Sequence, residues 1–172
     1  EVFTFRDRFA PGRALNFKPR INYSTDEWTV INHSANGFRL GRGNAGERIA
    51  HSQLLAVCPH DGERFLLGQA TWLMQEHGGG ILAGLAILPG MPEAVTARRA
   101  STQPGHANRF VRAFQLPPVE AIGQEGSLVL PIGTYQASGS LELVGEGKSW
   151  MVRMKHVRQR GVDFERVSYE ML

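Results

Sequence analysis

The chain has 172 residues, 42% of them hydrophobic, and 19 Lys and Arg residues against 16 Asp and Glu residues give it a net charge of +3. These values are typical of one globular domain or two small ones, and they exclude a chain that is disordered throughout. No apolar run approaches the ~20 residues that span a bilayer, so we predict no membrane insertion.

The first half of the chain contains short β-favouring segments separated by turn residues. Residues 16–23 and 28–34 flank the turn-prone sequence Ser24-Thr25-Asp26, which predicts a hairpin. Residues 53–57 and 64–74 flank an Asp-Gly turn and predict a second hairpin, and residues 81–88 form a further apolar run. Five or six short strands are enough for a small barrel, which we place over residues 1–90.

The second half divides into a connector and further strands. Residues 89–113 contain three prolines and no clear alternation, so we predict a connector over residues 91–113, with a short helix over residues 93–100. Beyond it, strand-like segments separated by Gly or Pro turns occupy residues 127–130, 138–144, 149–157 and 162–171. We therefore predict an all-β protein in which residues 114–172 form a second β-rich unit.

A short motif and two upstream arginines suggest a family. Asn32, Ser34 and Gly37 have the spacing Asn-x-Ser-x-x-Gly between two predicted strands. Over about residues 5–90 the chain resembles the PilZ domain family, whose signature is (Asp/Asn)-x-Ser-x-x-Gly preceded by a segment with Arg-x-x-x-Arg. Arg8 and Arg13 stand in the corresponding place with one more residue between them. The resemblance implies a small β-barrel that binds cyclic di-GMP without a cofactor.

The chemistry of that ligand explains the residue types of the motif. A guanidinium can pair with guanine O6 and N7, pair with phosphate oxygens or stack on a base, so the resemblance assigns Arg8 and Arg13 to these contacts. Asn32 would bond a guanine edge, Ser34 would offer its hydroxyl, and Gly37 would permit a strained turn and a close approach of the ligand. Binding would change contacts with other domains of a longer chain or with a protein partner. The alternative is a degenerate PilZ-like scaffold for protein–protein interaction.

The remaining signals predict the cellular setting and exclude other classes of function. The single cysteine, Cys58, and the missing signal sequence predict a cytoplasmic protein, and a first residue other than Met predicts that the chain is a fragment of a longer one. Residues 41–46 match Gly-x-Gly-x-x-Gly, but too few residues follow for the helix of a dinucleotide site, so we interpret them as a turn.

The spacing of the histidines and carboxylates predicts neither a metal site nor an enzyme. The positive charge alone would suit a nucleic-acid-binding barrel. Since no aromatic or RNA-binding motif accompanies that charge, nucleic acid is not an expected partner.

Overall fold

A computed structural model describes residues 2–4, 25–43, 46–59, 64–100 and 109–172. Arg8 and Arg13 lie outside these ranges. The described residues form twelve β-strands and one short 3₁₀-helix, which confirms the all-β fold class. Within the described ranges, no helix has the length and apolar character needed to cross a membrane.

The chain folds as two compact units. The first comprises residues 1–50 and 55–87, and the second comprises residues 51–54 and 88–172. The strands of the first sheet are β1 (Val2–Thr4), β2 (Glu27–Ser34), β3 (Gly37–Arg42), β4 (Leu54–Val57), β5 (Leu66–Gln75) and β6 (Ile81–Ile87). They lie side by side in the order β1-β2-β3-β6-β5-β4.

Alternation along the strands gives the first sheet an apolar face. Val30, Leu40, Ala83 and Leu73 lie side by side across β2, β3, β6 and β5, and their side chains share one face because directly opposed residues of antiparallel strands point the same way. The core on this face contains Trp28, Leu40, Val57, Ala83 and Leu85. The residues between these positions point to the opposite face, which is called the outer face below.

The second unit is a closed six-stranded barrel. It consists of β7 (Glu93–Arg99), β8 (Val111–Leu116), β9 (Ser127–Pro131), β10 (Ser140–Gly145), β11 (Lys148–Arg160) and β12 (Phe164–Met171), and the 3₁₀-helix Glu120–Ile122 lies between β8 and β9. The pairing of β7 with β10 closes the ring, and the other neighbours follow in the order β10-β11-β12-β9-β8-β7. The interior holds small and branched apolar side chains, among them Ala97, Leu128, Leu141 and Val167.

Two sequence predictions differ from this architecture. The helix predicted over residues 93–100 is wrong, because Glu93–Arg99 is strand β7. Val95 and Ala97 of this strand point into the barrel core. Pairing of β7 with β8 and β10 overrides the helix propensity of the Ala, Glu and Arg residues in the strand. The second unit therefore begins near Leu88, and residues 93–99 and 111–113 of the predicted connector are barrel strands. The closed barrel is in the second unit, whereas the described strands of the first unit form a six-stranded sheet.

The barrel interior contains one polar contact with a pH-dependent consequence. The Tyr169 hydroxyl accepts a hydrogen bond from Gln115 Nε2 at 2.7 Å. Burial raises the pKa of Tyr169 above its usual value near 10; the charge of Glu93 acts in the same direction and the Gln115 hydrogen bond in the opposite one. The folded state thus holds the phenolic proton more tightly than the unfolded state does.

This stabilisation is fully present below the unfolded pKa of tyrosine and is lost as the pH rises through the folded pKa. We expect the free energy of unfolding to fall at alkaline pH more steeply in the wild type than in Tyr169→Phe. Urea unfolding measured at a series of pH values on both sides of about 10 compares the two slopes. Identical alkaline slopes in the two proteins would show that Tyr169 does not contribute.

Candidate functional site

The Asn-x-Ser-x-x-Gly motif forms the hairpin between β2 and β3. Ser34 and Gly37 are paired across the two strands, and residues 35–36 make the turn. The Asn36 carbonyl accepts a hydrogen bond from Ile87 N at 2.9 Å, which ties the turn to β6. Asn32 and Ser34 are both exposed, so their polar groups are available to a ligand.

Gly37 is required by strand packing as well as by the turn. A Cβ atom at this position would overlap the carbonyl oxygen of Leu85 on the neighbouring strand β6. The φ angle of Gly37 is not in the left-handed region, so a strained turn, which the sequence suggested, is not the reason for glycine here. The reason is the close approach of two backbones.

Four residues form a row across the outer face of the first sheet. Asn32 on β2 pairs with Arg39 on β3, Arg39 pairs with Gly84 on β6, and Gly84 pairs with Trp72 on β5. Because each pair is directly opposed in antiparallel strands, the side chains project on the same side of the sheet. A register shift before Asn32 in β2 and another before Trp72 in β5 bring these two residues into the row. We call Asn32, Arg39, Gly84 and Trp72 the outer row.

A cation–π contact joins the two large side chains of the outer row. The Arg39 guanidinium carbon lies 5.9 Å from the centre of the Trp72 ring. Gly84 makes room for this contact, since a Cβ atom there would overlap the indole of Trp72. Trp72 is 39% exposed, and Arg39 Nε is buried with no hydrogen-bond partner among the described residues. The row thus combines a π surface that water reaches with an unpaired guanidinium donor.

Apolar side chains border the outer row on the side away from the hairpin turn. Met74 pairs with Leu82 in the next position along β5 and β6, and Ile31 lies against Gly41 in β3. Ile31 is 48% exposed and Met74 is 49% exposed. A flat ligand with an aromatic base would find apolar contacts beside the polar groups of the row.

Arg42, in the Gly-x-Gly-x-x-Gly segment, takes part in a set of structural contacts. The guanidinium of Arg42, at the start of this segment, makes an ion pair with Asp26, and its NH2 group donates to the Glu47 carbonyl at 3.1 Å. The Asp26 carboxylate also accepts from Glu47 N at 3.0 Å, and the Arg42 guanidinium stacks on the Trp28 ring at 4.6 Å. Arg42 and Asp26 therefore join the end of β3 to the start of β2 and to Glu47.

The structure brings together some of the sequence-predicted residues and adds others. Asn32, Ser34 and Gly37 share one hairpin, as the motif spacing indicates. The sequence analysis did not identify Arg39 or Trp72. The only local signal for Arg39 is its position two residues after Gly37 in an alternating strand, whereas nothing local connects Trp72 to the motif. No group of three or more His, Cys, Asp or Glu residues that would hold a metal ion occurs in the described part of the chain.

Comparison with known proteins bears on the second unit. Residues 95–172 match a family described as the FimW C-terminal beta-barrel domain. The match begins inside β7 and runs to the end of the chain, so it covers almost the whole barrel of the second unit. No curated protein and no solved structure matches the chain. The second unit is thus similar to the FimW C-terminal barrel, while the first unit, with the outer row, lies outside the matched residues.

Proposed function

We propose that the first unit binds cyclic di-GMP on the outer face of its sheet, over the outer row and the β2–β3 hairpin. The observation that carries the proposal is the alignment of Asn32, Arg39, Gly84 and Trp72 beside the Asn-x-Ser-x-x-Gly motif. This is the chemistry that a guanine nucleotide requires: a face for stacking, a guanidinium for the base edge or phosphate, and an amide for a second edge.

Each residue of the site has a distinct part in this proposal. A guanine stacks on the exposed face of Trp72. Because Gly84 has no side chain, the indole lies close to the sheet and leaves room for the base above it. Arg39 pairs with guanine O6 and N7 or with a phosphate, which uses the guanidinium that no described carboxylate neutralises. Asn32 bonds a guanine edge and Ser34 contributes its hydroxyl.

The topology supports a contribution from Arg8 and Arg13. Strand β1 pairs with β2 so that Thr4 lies opposite Glu27, and residues 5–24 connect Thr4 to Thr25. Both ends of this connection are therefore at the same end of β2. The chain from Thr4 to Arg13 spans up to about 30 Å when extended, whereas Glu27 and Asn32 are about 17 Å apart along a strand. Arg13 has the length of chain it needs to reach the outer row.

Binding of this kind performs no chemistry and would act by changing surface contacts. The ligand would cover the outer row, and Arg8 and Arg13 would contact it from the segment that precedes β2. The altered surface would then bind a neighbouring domain or a protein partner. The exposed apolar residues beside the row favour a second candidate function, a PilZ-like scaffold that binds a protein directly on this face.

Isothermal titration calorimetry of the whole chain with cyclic di-GMP separates the two candidates. GTP and cyclic di-AMP serve as ligand controls, and Ser34→Ala and Arg13→Ala test the hairpin and the arginine segment. We expect heat of binding with cyclic di-GMP alone and weaker binding in both variants. A folded wild-type protein that gives no heat with cyclic di-GMP would overturn the nucleotide proposal and favour the scaffold.

A further inference from the structure

The second unit contains a buried arginine without an acidic partner. Arg166 on β12 is 8% exposed, and its neighbour Val167 belongs to the barrel core, so Arg166 points to the outside of the barrel. Its Nε donates to Ser127 Oγ at 2.9 Å and its NH2 group donates to Gln124 Oε1 at 3.3 Å. Both acceptors are neutral, and among the described residues no carboxylate pairs with Arg166.

A second arginine adds to the local positive charge. Burial lowers the pKa of Arg166, and the positive charge of Arg158 on β11 lowers it further. Arg158 is about half exposed and makes an ion pair with Glu125, whose side chain is 67% exposed. Glu125 therefore neutralises the outer arginine, and no carboxylate in the described part of the chain pairs with the buried one. A buried charge without a counter-ion is costly, which makes this an unusual arrangement for stability alone.

The groups around Arg166 are donors as well as acceptors. The Ser127 hydroxyl accepts from Arg166 and keeps its own proton to donate, and the Gln124 side chain keeps its NH2 group. Two guanidinium groups, a hydroxyl and an amide NH2 are the donor set that binds a tetrahedral oxyanion.

We propose that Arg166 and Arg158 form a binding site for a phosphoryl group on the outside of the barrel. Gln124 and Glu125 occupy this site, since the Gln124 amide oxygen accepts from Arg166 and the Glu125 carboxylate pairs with Arg158. Both come from the same exposed stretch, which follows the 3₁₀-helix Glu120–Ile122. A phosphoryl group displaces the Glu125 carboxylate and the Gln124 amide oxygen and accepts from both arginines at once. Rotation of the Gln124 amide then turns its NH2 group towards the ligand. A dianion matches the two positive charges better than the single carboxylate of Glu125 does.

The site is tested by binding of inorganic phosphate to the whole chain. The width of the ³¹P NMR signal of phosphate is measured as protein is added, and chloride keeps the ionic strength constant. A parallel titration with O-phosphoserine distinguishes a phosphorylated side chain from free phosphate as the ligand. We expect saturable broadening with the wild type and affinity about tenfold lower in Arg158→Gln, since a charge-assisted hydrogen bond is lost. Glu125→Gln removes the competing carboxylate and is expected to bind phosphate more tightly than the wild type.

Arg153→Gln is the matched control, because Arg153 is on the same strand and makes an exposed ion pair with Glu170. It is expected to bind phosphate as the wild type does. Misfolding would not make Glu125→Gln bind phosphate more tightly. This variant therefore still tests the proposal if an arginine variant is unstable. No broadening with the wild type, or equal affinities of Arg158→Gln and Arg153→Gln, would overturn the proposal. Unchanged cyclic di-GMP binding in Arg158→Gln would show that this site is separate from the outer row.

Discussion

Trp72→Ala is expected to weaken the binding of cyclic di-GMP by roughly 5- to 150-fold. Stacking of a base on an aromatic side chain contributes about 1–3 kcal/mol, and the alanine variant removes the ring while leaving Asn32 and Ser34 in place. Since Trp72 is 39% exposed on the outer face, the variant should remain folded. Calorimetric titration gives the change in affinity, and the circular dichroism spectrum checks the fold.

Met74→Ala is the matched control for this prediction. Met74 is also on β5, is also exposed, and lies next to the outer row rather than in it. Its truncation removes apolar surface without removing a π face. The stacking model predicts a large loss in Trp72→Ala and a small one in Met74→Ala. If both variants lost the same affinity, the ligand would be held by general apolar contact and not by the row.

Asp26→Asn is expected to lower the free energy of unfolding by about 3 kcal/mol. Removing one partner of a buried ion pair leaves the other as an uncompensated buried charge, and Arg42 is buried against Trp28. Asp26 itself is partly exposed, which places the expected cost at the lower end of the range for such pairs. Urea unfolding measures the change as a shift of the midpoint at constant slope.

Glu170→Gln serves as the comparison for the ion pair, since it neutralises one carboxylate of an exposed pair with Arg153. Exposed pairs contribute about 0–1 kcal/mol, so this variant should unfold almost as the wild type does. Equal losses in Asp26→Asn and Glu170→Gln would mean that the Asp26 pair is no better shielded from water than a surface pair.

The sequence indicated the fold wherever the deciding interactions were local. Turn residues and alternation predicted strand β2, the neighbouring strands β4 and β5, and most strands of the barrel. The partner predicted for β2, residues 16–23, lies outside the described residues, and the hairpin that the structure shows joins β2 to β3. Strand β7 was missed because its composition favours a helix, and its state is decided by pairing with β10, more than forty residues further along. The closure of the barrel has no local signal either, because it depends on that same long-range pairing.

The candidate site divides in the same way. Asn32, Ser34 and Gly37 are close in sequence, so their spacing alone placed them together. Arg39 and Trp72 become neighbours only through the register of β3, β6 and β5. That register is fixed by the buried face of the sheet, because a slip by one residue would turn every apolar side chain outward. The outer row is thus a consequence of core packing on the opposite face, which no motif spacing records.

The three tryptophans of the chain occupy three different environments. Trp28 is 1% exposed in the core of the first unit, Trp150 packs partly buried against the barrel core, and Trp72 is open to water on the outer row. A small aqueous quencher such as iodide therefore reaches the indole of Trp72 far more readily than the indole of Trp28. The intrinsic fluorescence of the unlabelled protein contains an emission component that reports directly on the surface where the nucleotide is proposed to lie.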